Sequence, residues 1–258
     1  TFPCSMVDRI TPRSTDTLQR DVESLFGVCP IAPVMAEDFL QWVVEDNFAG
    51  ERPNLSEVGV TFTKNVDPYE EAKIRILNGG HTCLTYLGAL AGHHTFDQAM
   101  TDPVLFAHFE EFERNEVLPA LTETLPFDKS EYLDQIIARF KNASIGDTVE
   151  RICADGFLKF PIFIRPTLLG CLSQGILPCA GLRAIASWYV FCKHIEAGKL
   201  PIKYAEPYWN NMRALLSDDK LEAFASSTSL WDEIPQKHPE FTPELMAEIR
   251  EMDMKWPV

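Results

Sequence analysis

Basic residues are scarce in this chain: 23 lysines and arginines stand against 38 aspartates and glutamates, a net charge of −15 over 258 residues. Phosphate-rich partners need a basic face, so nucleic acid and acidic membrane surfaces are poor partners. The excess acid reads as solubility, with runs such as Glu110-Glu111-Phe112-Glu113 taken as solvated helix faces. No apolar run reaches about 18 residues, which argues against a membrane span. The most apolar stretch, 157–176, is interrupted by Lys159, Arg165, Pro161 and Pro166. The opening Thr1-Phe2-Pro3-Cys4 lacks the basic start and apolar run of a secretory signal. The seven cysteines are odd in number and form no CxxC pair, so neither a disulfide framework nor a structural zinc site is expected. Free thiols in a reducing cytoplasm fit best. His93 and His94 have no third metal ligand at a useful spacing and read as polar residues of a helix end. There is no GxGxxG; the nearest glycine cluster, Gly79-Gly80, lies in a helical stretch, so no dinucleotide-binding crossover is read.

Proline, glycine and capping residues divide the rest into helices. Residues 1–13, with Pro3 and Pro12, read as an extended lead-in. A helix follows, capped by Ser14, Thr15 or Asp16. Residues 36–45 suggest a second short helix, and 58–63 a short strand. Asp67 as cap, Pro68 at the first helical position and Glu70 completing a capping box open a helix that reaches about Gly92. Asp102-Pro103 opens a helix to about Leu121, and Asp128 or Ser130 one to Phe140. A second capping box at 147–150 opens one ending near Gly156. Helices over 179–198, 205–216, 217–225 and 243–253 complete the chain. The architecture expected is one mainly α, multi-helix domain over 1–258.

The stretch from Lys73 to His81 carries the chemistry. At about 100° per residue, with Lys73 as the origin, Asn78 falls near ~140° and His81 near ~80°. An amine, an amide and an imidazole therefore share one side. Each mid-helix glycine costs about 1 kcal/mol against alanine. The pair at 79–80 implies close approach to the backbone or a bend. A lysine acts as general base once burial or positive neighbours bring its pKa to about 7–8. An amide can donate to an alkoxide-like oxygen, and an imidazole can hold a hydroxyl or carbonyl. The set suits reversible oxidation of a secondary alcohol without a metal. Taken alone, it competes with a plain solvated helix face. Arg151 lies in the helix from 147, and Lys159 sits amid Phe157, Leu158, Phe160 and Ile162. That lysine is either a snorkelling surface residue or a pocket cation. Asp8 beside Arg9 reads as an ion pair of little weight.

Four segments go further in combination. They are Phe2-Pro3-Cys4-Ser5-Met6-Val7-Asp8-Arg9-Ile10-Thr11-Pro12; Gln41-Trp42-Val43-Val44-Glu45-Asp46-Asn47-Phe48; the Lys73-x4-Asn78-x2-His81 spacing followed by Tyr86-Leu87-Gly88; and Asp147-Thr148-Val149-Glu150-Arg151 through Asp155-Gly156 to Lys159 and Pro161. Together they resemble the polyol-specific long-chain dehydrogenases, the family typified by mannitol 2-dehydrogenase. The likeness spans nearly the whole chain. It implies a zinc-independent, NAD- or NADP-dependent oxidation of a sugar alcohol, D-mannitol to D-fructose or a close polyol such as D-arabinitol. Carried over by position, Lys73 is similar to the family's catalytic lysine, Asn78 to an oxyanion-stabilising amide, and His81 to a residue binding the reacting oxygen. Arg151 and Lys159 fall where the family places substrate-contacting cations, and Val7 and Asp8 where it lines the cleft of substrate and nicotinamide.

The resemblance implies a helical domain like the C-terminal half of 6-phosphogluconate dehydrogenase-like enzymes. Family members carry a Rossmann domain ahead of this segment, and none is read here. The expectation is therefore the C-terminal domain alone, with 1–13 leading in from a missing nucleotide-binding domain of roughly 150–200 residues. That domain would be its partner and bind most of the cofactor, and the chain alone would be inactive. Two alternatives stand beside this. A hexuronate reductase acting on fructuronate or tagaturonate would also use Arg151 and Lys159, on a carboxylate. A catalytically silent helical interaction module gains if Lys73, Asn78 and His81 fail to meet within about 5 Å of one cavity.

Overall fold

The computed structural model describes residues 1–29 and 32–258. The N-terminal part is built on a three-stranded sheet of β1 (Ser5–Asp8), β2 (Gln41–Glu45) and β3 (Thr61–Thr63). The order is β1-β2-β3, antiparallel between the first two and parallel between the last two. Met6 stands opposite Val43, and both are buried in a small cluster with Val66. The 36–45 stretch is thus not a helix. Trp42, Val43 and Val44 are aromatic and β-branched and suit a pleated surface. Their hydrogen-bond partners lie far away in sequence, where helical periodicity cannot reveal them. Between β1 and β2 lies the helix Asp16–Phe26, capped by the Thr15 hydroxyl and ended by Gly27 at φ 66. The expected mainly α chain thus carries a small sheet as well, with β1 inside the extended stretch 1–13 and β3 inside the strand read at 58–63.

From Asp67 onward the chain is helical. The run to Leu90 has three parts: Asp67–Ala72, Lys73–Asn78 and Gly79–Leu90. The middle part is wound more widely, as a π turn, a rare element frequent at functional sites. The start differs from the capping pattern. Asp67 already lies inside the helix, Val66 holds the cap position, and no side chain caps it. Two more wide turns, Phe112–Val117 and Phe160–Ile164, pack against the first.

Other helix starts follow local chemistry. Asp102 caps Pro103–Glu111, accepting from the Val104 and Leu105 amides at 2.9 and 3.2 Å. Asp128 caps Lys129–Phe140 at 2.8 and 2.9 Å. Thr148 alone caps Val149–Cys153. The long helix Cys179–Glu196 is buried along most of its length, between Gly79–Leu90 and Phe241–Lys255. Trp188 stacks there on Phe160, with ring centroids 4.5 Å apart. One acid expected at the surface is not there: Glu113 is 0% exposed. Among the described residues, no helix is long and apolar enough to cross a membrane.

Candidate active site

Lys73, Asn78 and His81 line one cavity of about 320 Å³. Val7 and Asp8 reach it from β1, and Arg151 and Lys159 from the short helices Val149–Cys153 and Gly156–Lys159. All seven residues singled out in the sequence therefore meet in one place. The π turn explains how the first two align. Its hydrogen bonds run between residues five apart, as from the Gly79 amide to the Ile74 carbonyl. Lys73 and Asn78 are also five apart, so they stand nearly one above the other. His81 follows one α-helical turn later.

The glycine pair plays a different part from a cavity floor. An added Cβ on Gly80 would lie 2.7 Å from Glu113 Oε1 and 2.8 Å from Phe109 Cε2, and one on Gly79 would lie 3.3 Å from the Phe163 carbonyl. The close approach implied by the sequence is present, but it comes from the core behind the helix.

Each polar group has a distinct setting. Among the described residues, Lys73 has no carboxylate within ion-pair distance. Asn78 Oδ1 is buried without a hydrogen-bond partner in the protein. His81 stacks on Phe140 at 4.1 Å and meets the edge of Phe96 at 4.6 Å. Burial first, then the positive charges of Arg151, Lys159, Arg139 and Lys73, push its pKa well below the ordinary value, so the ring is neutral near pH 7. Lys159 Nζ donates to the Ile152 carbonyl at 2.8 Å. Burial lowers the Lys159 pKa, and Arg151 adds to that against the pull of Asp155. The Arg151 guanidinium grips Asp147 with two hydrogen bonds. Sequence reasoning missed this Asp147 role, because the carboxylate had been read as part of a cap.

The Asp8–Arg9 pair is also corrected. Asp8 is 2% exposed and bound by Arg139 at 2.7 and 2.8 Å. Arg9 Nε donates instead to the Glu37 carbonyl at 2.8 Å. Burial alternates along 7–10, with Asp8 and Ile10 buried and Val7 and Arg9 exposed, so Asp8 and Arg9 part in space. Away from the cavity, His93 Nε2 lies 3.3 Å from Asp102 Oδ2. Among the described residues, no group of three or more His, Cys, Asp or Glu side chains is placed to hold a metal ion. All seven cysteines are unbridged.

Residues 65–253 match the family model described as the mannitol dehydrogenase C-terminal domain. The chain belongs to the mannitol dehydrogenase family. Residues 1–57 match the same family's Rossmann-domain model. The C-terminal-only reading is overturned by that match: the sheet of β1, β2 and β3 begins within a Rossmann-domain segment, not a lead-in. The expectation that the chain alone is inactive loses its basis, which was the absence of that domain. Among curated relatives, a D-arabinitol 4-dehydrogenase of Ralstonia nicotianae is 39% identical over 232 residues, covering 89% of this chain and 50% of that protein. A mannitol 2-dehydrogenase of Cereibacter sphaeroides is 36% identical, covering 91% of this chain and 50% of that protein. Among solved structures, the ternary complex of Pseudomonas fluorescens mannitol 2-dehydrogenase with NAD and D-mannitol superposes with a TM-score of 0.90 at 32% identity. That match covers 99% of this chain and 52% of that one. The chain spans about half the length of the mannitol dehydrogenase relatives it matches.

Proposed function

We propose that this chain provides the substrate side of an NAD- or NADP-dependent, metal-independent polyol dehydrogenase. It would oxidise a secondary alcohol of a sugar alcohol, D-mannitol to D-fructose or a close polyol such as D-arabinitol. One observation carries the reading: an amine, an unpartnered amide and a neutral imidazole converge on a single cavity.

In this reading Lys73 is the general base that takes the proton of the reacting hydroxyl. Asn78 hydrogen-bonds the same oxygen as negative charge develops on it. Neutral His81 donates from one ring nitrogen or accepts at the other, which fixes the reacting carbon in register. Arg151 and Lys159 bind hydroxyls further along the chain of the polyol, and Val7 and Asp8 form the wall. The nicotinamide, when bound, supplies the hydride acceptor for the carbinol carbon. Val7 and Leu77 are apolar residues of the same cavity and fit its ring. The match of residues 1–57 to the family's Rossmann-domain model supports a nucleotide-binding contribution from this chain itself in this reading. Unbridged thiols support a reducing compartment such as the cytoplasm.

Lys73→Ala, assayed for polyol-dependent reduction of NAD, is expected to lower turnover by about 10²–10⁴-fold. Near-parental turnover would end the assignment. Insensitivity to chelators checks metal independence. The presence of Arg151 and Lys159 at the cavity favours a second reading, a hexuronate reductase. Asp147 already occupies the fork of Arg151, which leaves less for a substrate carboxylate and favours the polyol. Rates on mannitol and mannonate, measured side by side, separate the two.

A further inference from the structure

The cavity wall at 7–11 leaves the sheet early. Asp8 is the last β1 residue opposite β2, and Arg9, Ile10 and Thr11 line the cavity beyond it. Their backbone is tied to Glu37 instead. The Ile10 amide donates to Glu37 Oε1 at 2.6 Å, and the Glu37 amide donates to the Ile10 carbonyl at 3.1 Å.

Glu37 and Asp8 are in turn held by one guanidinium. Arg139, near the end of Lys129–Phe140, donates to Asp8 at 2.8 and 2.7 Å and to Glu37 at 3.0 and 2.7 Å. Its Cζ lies 4.0 Å over the Phe39 ring. Asp8, Glu37 and Arg139 are 2%, 3% and 9% exposed, so water does little to screen them. The next residue on that helix, Phe140, is the one on which His81 stacks. One helix end therefore touches both the wall and the imidazole.

We propose that Arg139 is a positioning residue: by clasping Asp8 and Glu37 together it fixes the Val7–Thr11 wall against the helical body, and so sets the distance from that wall to Lys73 and Asn78. The inference deepens the dehydrogenase reading and rests on it for its effect on turnover. The Asp8 carboxylate then acts as the anchor of the wall. Without the guanidinium, two buried carboxylates face each other, and each must find water or a proton. The wall gives way first at Ile10, whose amide depends on Glu37.

Amide hydrogen exchange of the intact chain tests the structural half. Arg139→Gln is expected to speed exchange at Ile10 by about tenfold or more, while the amides of Gly79–Leu90 keep their protection. Arg139→Lys keeps the charge but cannot bridge both carboxylates with a planar fork. It is expected to show a smaller rise confined to the same segment, and it decides the matter if Arg139→Gln does not fold. Unchanged exchange at Ile10, or a rise spread evenly over the whole chain, would overturn the proposal. In the polyol assay, Arg139→Lys should raise KM by about tenfold with a smaller fall in kcat, since the reacting groups are untouched. An equal loss in both, or none, also counts against it. If the parent protein turns over no polyol, the dehydrogenase reading fails, and the exchange result still judges the clasp.

Discussion

Gly80→Ala is a sharp test of how the helix that carries Lys73, Asn78 and His81 is seated. Gly80 has ordinary helical geometry, so alanine meets no backbone strain, and helix propensity favours it by about 1 kcal/mol. The opposing term is steric. The new Cβ would lie 2.7 Å from Glu113 Oε1, 2.8 Å from Phe109 Cε2 and 3.4 Å from Phe140 Cε2. The first two are closer than real Cβ contacts permit. Neither neighbour is free to swing: Glu113 and Phe109 are both 0% exposed. Overpacking of this kind costs about 1–3 kcal/mol. With overpacking near the middle of that range, the balance is a net destabilisation of about 1 kcal/mol, a fall in Tm of about 2–4 °C for a chain of this size. Urea unfolding should show a lower midpoint with an unchanged slope. Gly79→Ala is the control. Its closest neighbour is the Phe163 carbonyl at 3.3 Å, so propensity and crowding nearly cancel. If Gly80→Ala proves as stable as the parent, or if Gly79→Ala is the more damaging change, the account of the glycine pair is wrong.

Acid stability offers a second check. Burial, helped by Arg183, pushes the His108 pKa down to about 3. Below its ordinary value of 6.5 the unfolded chain takes up a proton that the folded imidazole refuses, so stability falls as pH drops from there towards 3. The slope from this group approaches about 1.4 kcal/mol per pH unit. His81 acts in the same sense. Glu116, raised to about 7 by burial, acts in the opposite sense: its contribution is full below 4.5 and is lost as pH rises through 7. His108→Asn should flatten the acid limb in urea titrations at pH 5 and 7, and an unchanged limb would contradict the buried neutral imidazole. A simpler change is Asp128→Ala, which removes the acceptor for the Ser130 and Glu131 amides and should cost about 1 kcal/mol in the same assay.

What could be read from the sequence was local chemistry. Asp102 and Asp128 cap their helices as their own neighbourhoods imply, since a cap reaches only two or three residues ahead. Lys73, Asn78, His81, Arg151, Lys159 and Asp8 stood out by their local pattern, and Val7 through the likeness to a family; the fold gathers all seven around one cavity. What stayed hidden depends on distant partners. Gln41–Glu45 becomes a strand because Ser5–Asp8 lies beside it. Asp8 finds Arg139, 131 positions away along the chain, rather than its neighbour Arg9. Glu113 looked solvated within an acidic run, yet it lies beneath Gly80. The π turn was invisible too, because a helical wheel assumes one constant winding.

That wider winding makes the interval between Lys73 and Asn78 a register that tolerates no slip. Closing the same residues into regular α geometry, with none removed, would swing everything after them by about 100°. His81 would leave the Phe140 and Phe96 rings, and Gly80 would no longer face Glu113 and Phe109. The amine-to-amide spacing is thus enforced by aromatic rings and a carboxyl that stand outside the lining of the cavity.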